Sequence, residues 1–174
     1  MSDDTTADAG ASAVGPDPDV AVDETIVVAD DAVAVDPDTV QFNLMSVESV
    51  LYDLSDTSPL VHLTESDTPY RYLAIPIALP EAIALHNALD KIDGRRPGTH
   101  EVMSKILQQL KADIVAARIT RFENGVFYAE LDVMSPSGHD VFDCRTSDAL
   151  ILATRQSVRA PILCAESVLR DYYA

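Results

Sequence analysis

Three short stretches of this chain bring acids, bases and hydroxyl residues together at spacings that suit anion or metal chemistry. DCRTSDALILA, residues 143–153, puts Asp143, Arg145 and Asp148 at one strand-to-helix junction, with Thr146 and Ser147 between the last two. RRPGTHE, residues 95–101, sets Arg95 and Arg96 just ahead of a second helix start, where Thr99 is a natural cap and His100 and Glu101 fall in the first turn. PEAIAL, residues 80–85, opens a third helix with Glu81 in its first turn. An arginine beside free helix N–H groups can hold a phosphate, and carboxylates gathered at one junction can ligate a hard divalent cation. An imidazole near neutral pH serves as base, acid or ligand. A plainer reading stands beside each of these. A carboxylate in a first helical turn complements the macrodipole, Thr99 and Thr146 can cap, and a histidine near a cap is commonly just exposed.

The remaining reactive residue types argue less. His86 shares an apolar helix stripe with Ala82, Leu85 and Leu89 and is expected to be partly buried; His62 and His139 have no spacing that suggests chemistry. Cys144 and Cys164 are the only cysteines, sit in apolar strand-like contexts and form no CxxC, so neither a disulfide framework nor structural zinc is expected. The sequence has no glycine-rich phosphate loop, no GxSxG, no HExxH and no dinucleotide fingerprint.

The elements that must position these residues follow from periodicity. QFNLMSVESVLYDL, SPLVHLTES and RYLAIPI read as three strands, after which Pro80 opens a helix that DGRRPG ends. The second helix carries Val102, Met103, Ile106, Leu107 and Leu110 along one side. ADIVAARITRF and GVFYAELDVM form a hairpin around the turn signal ENG, with Ile114, Ala116, Arg118 and Thr120 expected to oppose Val115, Ala117 and Ile119. HDVFDC makes a strand, DALILATRQS a helix, PILC a strand and ESVLRDYY a last helical turn. This order predicts an α+β domain over residues 40–174, a mostly antiparallel sheet packed with helices. RYLAIPIALPEAIAL and HDVFDCRTSDALIL echo one another, which suggests a duplicated strand-helix-strand plan with Glu81 and Asp148 in equivalent places.

Charge is unevenly spread. Of the 174 residues, 47% are hydrophobic, enough for a core, and the formal charge is −17. Residues 1–39 hold 11 acidic residues and no Lys or Arg, and they read as a disordered acidic tail; the other 18 acids against 12 bases leave −6 for the folded part. No run suits a membrane span and the first residues lack a secretory pattern, so a soluble, cytoplasmic protein is expected.

Taken together, the acid-Ala helix entry at Glu81, RPGTHE, the FYAEL strand and DCRTSDALILA followed by APILCAESV resemble the bifunctional nuclease family, from about Phe42 to Leu169. Relative to the family pattern, Ala78 replaces a Gly, Gly98 a bulky aliphatic residue, Glu101 an Asp and Thr146 a Pro. The resemblance implies an α+β domain that cleaves the phosphodiester bonds of DNA and RNA with low sequence specificity, and it makes a homo-oligomer plausible. The candidate catalytic residues are Glu81, His100, Asp143 and Asp148, with Arg96 and Arg145 to bind substrate. Mg²⁺ or Mn²⁺ on Glu81, Glu101 and Asp148 would activate water. The rival expectation is a non-catalytic regulatory or protein-interaction module in which the same residues cap and pair.

Overall fold

The computed structural model describes residues 40–52 and 58–174, so the expected acidic tail over residues 1–39 lies outside the described residues. The first three strands, β1 (Phe42–Leu51), β2 (Leu60–Glu65) and β3 (Tyr72–Pro76), form an antiparallel meander that feeds helix α1 (Leu79–Leu89). Helix α2 (Thr99–Gln109) follows. A second meander, β4 (Asp113–Glu123), β5 (Val126–Ser135) and β6 (Gly138–Arg145), feeds α3 (Thr146–Thr154). Strand β7 (Ile162–Ala165) and helix α4 (Glu166–Tyr172) complete the chain. The sheet runs β3-β2-β1-β7-β4-β5-β6, with β7 antiparallel to β1 and parallel to β4. The α+β class holds, and the echo between the two helix entries corresponds to two meanders that each end at an edge strand and turn into a helix.

The core lies between one face of this sheet and the helices, with Leu63, Leu73, Ile119, Leu85, Leu150 and Leu169 all fully buried. Helix α3 is its centre. Apolar residues surround its axis, and every residue of the helix except Asp148 is buried. Among the described residues nothing gives the opposite sheet face such cover, and Leu44, Met134 and Val141 are exposed there. Among the described residues no helix is long and apolar enough to cross a membrane.

Several local expectations need correction. Register shifts in β4 fall between Ile114 and Ala116 and between Ile119 and Arg121, so Ile114, Ala117 and Ile119 share the core face. A bulge adds one residue to the strand and breaks strict alternation. His86 is exposed beside Asp90, 3.4 Å away, because the buried stripe of α1 is Ala82, Leu85 and Ala88. Neither threonine caps: Gly98 and Arg145 hold the N-cap positions, and the Thr146 hydroxyl donates instead to the Phe127 carbonyl at 3.0 Å. The apolar side of α2 also stays largely uncovered, since Ser104 is its one buried residue.

The β4–β5 turn has the expected chemistry. Asn124 at φ 51° and Gly125 at φ 78° both occupy the left-handed region that a two-residue type I′ turn requires. A Cβ at Gly125 would meet nothing within 4 Å, so Gly125→Ala should cost only backbone strain, about 1 kcal/mol. Urea unfolding of the two proteins checks this, and an unchanged midpoint would count against it.

Candidate functional site at three helix starts

The same local device opens α1, α2 and α3: an acid at the third helical position. Glu81 reaches back to accept the Ala78 N–H at 3.0 Å, and Glu101 accepts the Gly98 N–H at 2.7 Å. Ala78 and Gly98 have no side-chain oxygen, so only the carboxylate half of a capping box is built at either start. Asp148 occupies the equivalent place but is one methylene shorter. Its carboxylate is taken by side chains instead.

Arg145, the N-cap residue of α3, donates from Nε to Asp148 Oδ2 at 2.8 Å and from Nη2 to Oδ1 at 3.0 Å. Its Nη1 pairs with Glu81 Oε1, so one guanidinium joins the two acids that the sequence echo put in equivalent positions. From α2, His100 Nε2 lies 2.9 Å from Asp148 Oδ1. Burial pushes the Asp148 carboxyl up, but the hydrogen bonds from Arg145 and His100 outweigh it and hold the group below the ordinary carboxylate range. Asp148 is ionised at neutral pH and grips both partners.

These residues line a cleft of about 480 Å³ between the starts of α1, α2 and α3, with Arg96 and Glu101 on the same wall. Of the residues expected from sequence, Glu81, Arg96, His100, Glu101, Arg145 and Asp148 converge here. Asp143 lines instead two adjoining hollows, one with Tyr128 and one with Phe142. Arg155 is a member the sequence reading missed. It ends α3 two turns after Asp148, is largely buried, and donates to Glu101 Oε1 at 2.9 Å and to Asp93 Oδ1 at 3.0 Å. A basic residue seven positions after Asp148 was its signal. Glu101 also accepts the Gly94 N–H at 3.1 Å. Hydrogen bonds from Gly94 and Gly98, then Arg155, keep its carboxyl below the usual range. A Cβ at Gly94 would come within 2.9 Å of the Arg96 carbonyl oxygen, so this loop requires glycine there.

Both oxygens of Asp148 are held by Arg145 or His100, Glu81 is held by Arg145 and the Ala78 N–H, and Glu101 by two backbone N–H groups and Arg155. Among the described residues no three His, Cys, Asp or Glu side chains are placed to hold a metal ion. This arrangement does not fit Mg²⁺ or Mn²⁺ on Glu81, Glu101 and Asp148. The two thiols, Cys144 beside the cleft and Cys164 in the core, are also poor nucleophiles. Burial, then the charges of Asp148, Asp143 and Glu130, pushes Cys144 up to about 11, and burial first pushes Cys164 up to about 12.

The chain is similar to two uncharacterized proteins of Mycobacterium tuberculosis, MT1877 of strain CDC 1551 and Rv1829 of strain H37Rv. Each is 29% identical over 129 residues, which covers 71% of this chain and 71% of the relative. Residues 61–173, from β2 through α4, match the family model described as the bifunctional nuclease domain, and the chain belongs to that family.

Proposed function

We propose that the cleft binds a phosphodiester of DNA or RNA and hydrolyses it, with His100 and Asp148 handling the proton and Arg145 and Arg96 binding the phosphate. The observation that carries this is the His100–Asp148 contact at 2.9 Å, made between two helices on a carboxylate that Arg145 also fixes. A neutral imidazole that donates from Nε2 to Asp148 has its lone pair on Nδ1, where it can accept a proton from an attacking water. Asp148 fixes the ring's tautomer and stabilises the imidazolium that forms. Arg145, exposed at the mouth, offers planar donors to the developing phosphoryl charge.

Electrostatics support the location. Within a chain of −17, the three arginines of the cleft match its three acids, Glu81, Glu101 and Asp148, so the cleft lining carries no net negative charge to repel a polyanion. The same ion pairs favour a second reading, a non-catalytic module in which every acid merely fixes a helix entry.

Cleavage of labelled DNA and RNA oligonucleotides at low salt, in Mg²⁺, in Mn²⁺ and in chelator, separates these readings. The expected result is cleavage of both polymers that persists in chelator. Activity abolished by chelator and restored by Mn²⁺ would replace proton transfer by His100 with a metal mechanism that first displaces Arg145. Cleavage of neither polymer under any condition would leave the non-catalytic module.

A further inference from the structure

Beside the cleft lies an apolar groove of about 560 Å³, walled by Met103 and Ile106 of α2, by Val133 and by Phe142 of the edge strand β6. It shares Thr99, His100, Arg145 and Asp148 with the cleft, so an anion site and an apolar site meet at one catalytic pair. Met103 is 45% exposed, and Ile106 and Phe142 are each 52% exposed. A thioether, an aliphatic chain and an aromatic ring therefore stand open to water within reach of the phosphate ligands.

We infer that this groove is a nucleobase subsite and that the preferred substrate is single-stranded nucleic acid, an inference that rests on the nuclease reading above. A nucleotide joins a flat, largely apolar ring to an anion a few ångströms away, which is the pairing of surfaces found here. Bases stack on aromatic rings and pack on apolar side chains in single-strand sites, with little regard for base identity. Met103, Ile106, Val133 and Phe142 offer a base packing without hydrogen bonds, while Thr99, His100, Asp143, Arg145 and Asp148 line the same groove on its polar side. In a duplex the bases are paired and stacked within the helix and cannot enter; an unpaired strand can turn one base into the groove while its phosphate meets Arg145.

The test uses the full chain with three fluorescein-labelled DNA probes of one length: a single strand, its duplex, and a strand with abasic sites. Fluorescence anisotropy and cleavage are read on each. The single strand should bind most tightly, and Phe142→Ala and Met103→Ala should each weaken it about tenfold without affecting the duplex. The abasic strand should bind the native protein as weakly as the intact strand binds F142A. Phe142→Trp should retain affinity, and Leu110→Ala, on the exposed side of α2 outside the groove, should change nothing. Equal binding of strand and duplex, or of abasic and intact strand, overturns the subsite while leaving the nuclease reading standing. So does F142A that alters only sedimentation, which would assign the groove to a second copy of this chain. If no probe is bound or cut, the nuclease reading fails and the subsite with it.

Discussion

His100→Ala should lower the rate of phosphodiester cleavage by about 100- to 10,000-fold, the usual contribution of one general acid–base group, with the unfolding midpoint nearly unchanged. The ring lies in the first turn of α2 at the cleft wall, and the helix start itself is held by the Glu101 carboxylate, which the substitution leaves in place. Asp148→Asn should reduce the rate by a similar factor for a different reason. The isosteric amide weakens the grip on Arg145 and presents either a neutral acceptor or a donor to His100 Nε2, so the tautomer that leaves Nδ1 free is no longer enforced. Because both residues act through one proton, the double variant should be little slower than either single one. Single-turnover rates for the three proteins, alongside their urea midpoints, check this. Rates within a few-fold of the native protein in folded H100A would sink the assignment.

Arg71→Ala should instead unfold the protein more readily, by about 3 kcal/mol, without entering the cleft at all. Glu65 is almost fully buried in β2, and Arg71 supplies its backbone N–H at 2.9 Å, Nε at 2.9 Å and Nη2 at 2.8 Å. The same guanidinium reaches Glu166, at the start of α4, at 2.7 and 2.8 Å. Deleting it leaves a buried carboxylate without its cation. The acid limb of the stability curve should change as well. Hydrogen bonds from Arg71, partly opposed by burial, hold the Glu65 carboxyl below its ordinary value of 4.5. The folded protein then binds this proton at lower pH than the unfolded chain does. The contribution is complete above about pH 4.5 and is lost as pH falls through the folded-state value. In Arg71→Ala only the backbone N–H of residue 71 still opposes burial, so the downward shift of Glu65 shrinks and its pH-linked contribution shrinks with it. Urea midpoints at pH 7 and pH 4 should differ less in the variant than in the native protein; equal losses at both pH values would contradict the account.

What was legible in the sequence was local. The Asn124-Gly125 turn, Pro80 at the start of α1 and the apolar run of α3 each act over a few residues, so the order of elements and the three helix entries were readable. The echo was readable too, although not that its two acids meet on one guanidinium. Glu81 and Arg145 lie far apart in sequence, and only the packing of α1 against α3 joins them. His86 was misplaced because helical spacing alone did not separate the buried stripe of Ala82, Leu85 and Ala88 from its flank. The β4 bulges were hidden because a bulge is defined by the partner strand, and Arg155 was missed because its role depends on Glu101. The metal expectation came from carboxylates at three helix entries and the nuclease resemblance; that each of Glu81, Glu101 and Asp148 meets an arginine is a tertiary fact that local sequence does not carry.

The strand order has a consequence for how the chain comes together. Each meander pairs within itself, but β7 is the slat between them and follows every other strand in the chain. The contacts it brings reach far back: Phe42, at the start of β1, pairs with Ala165 at its end. Without β7 each half-sheet would end on an unpaired edge, β1 in one and β4 in the other, and β7 joins them into one surface. Helix α1 leaves one edge strand, β3, and α3 leaves the other, β6, so the cleft between their starts draws on both half-sheets and depends on the strand that joins them.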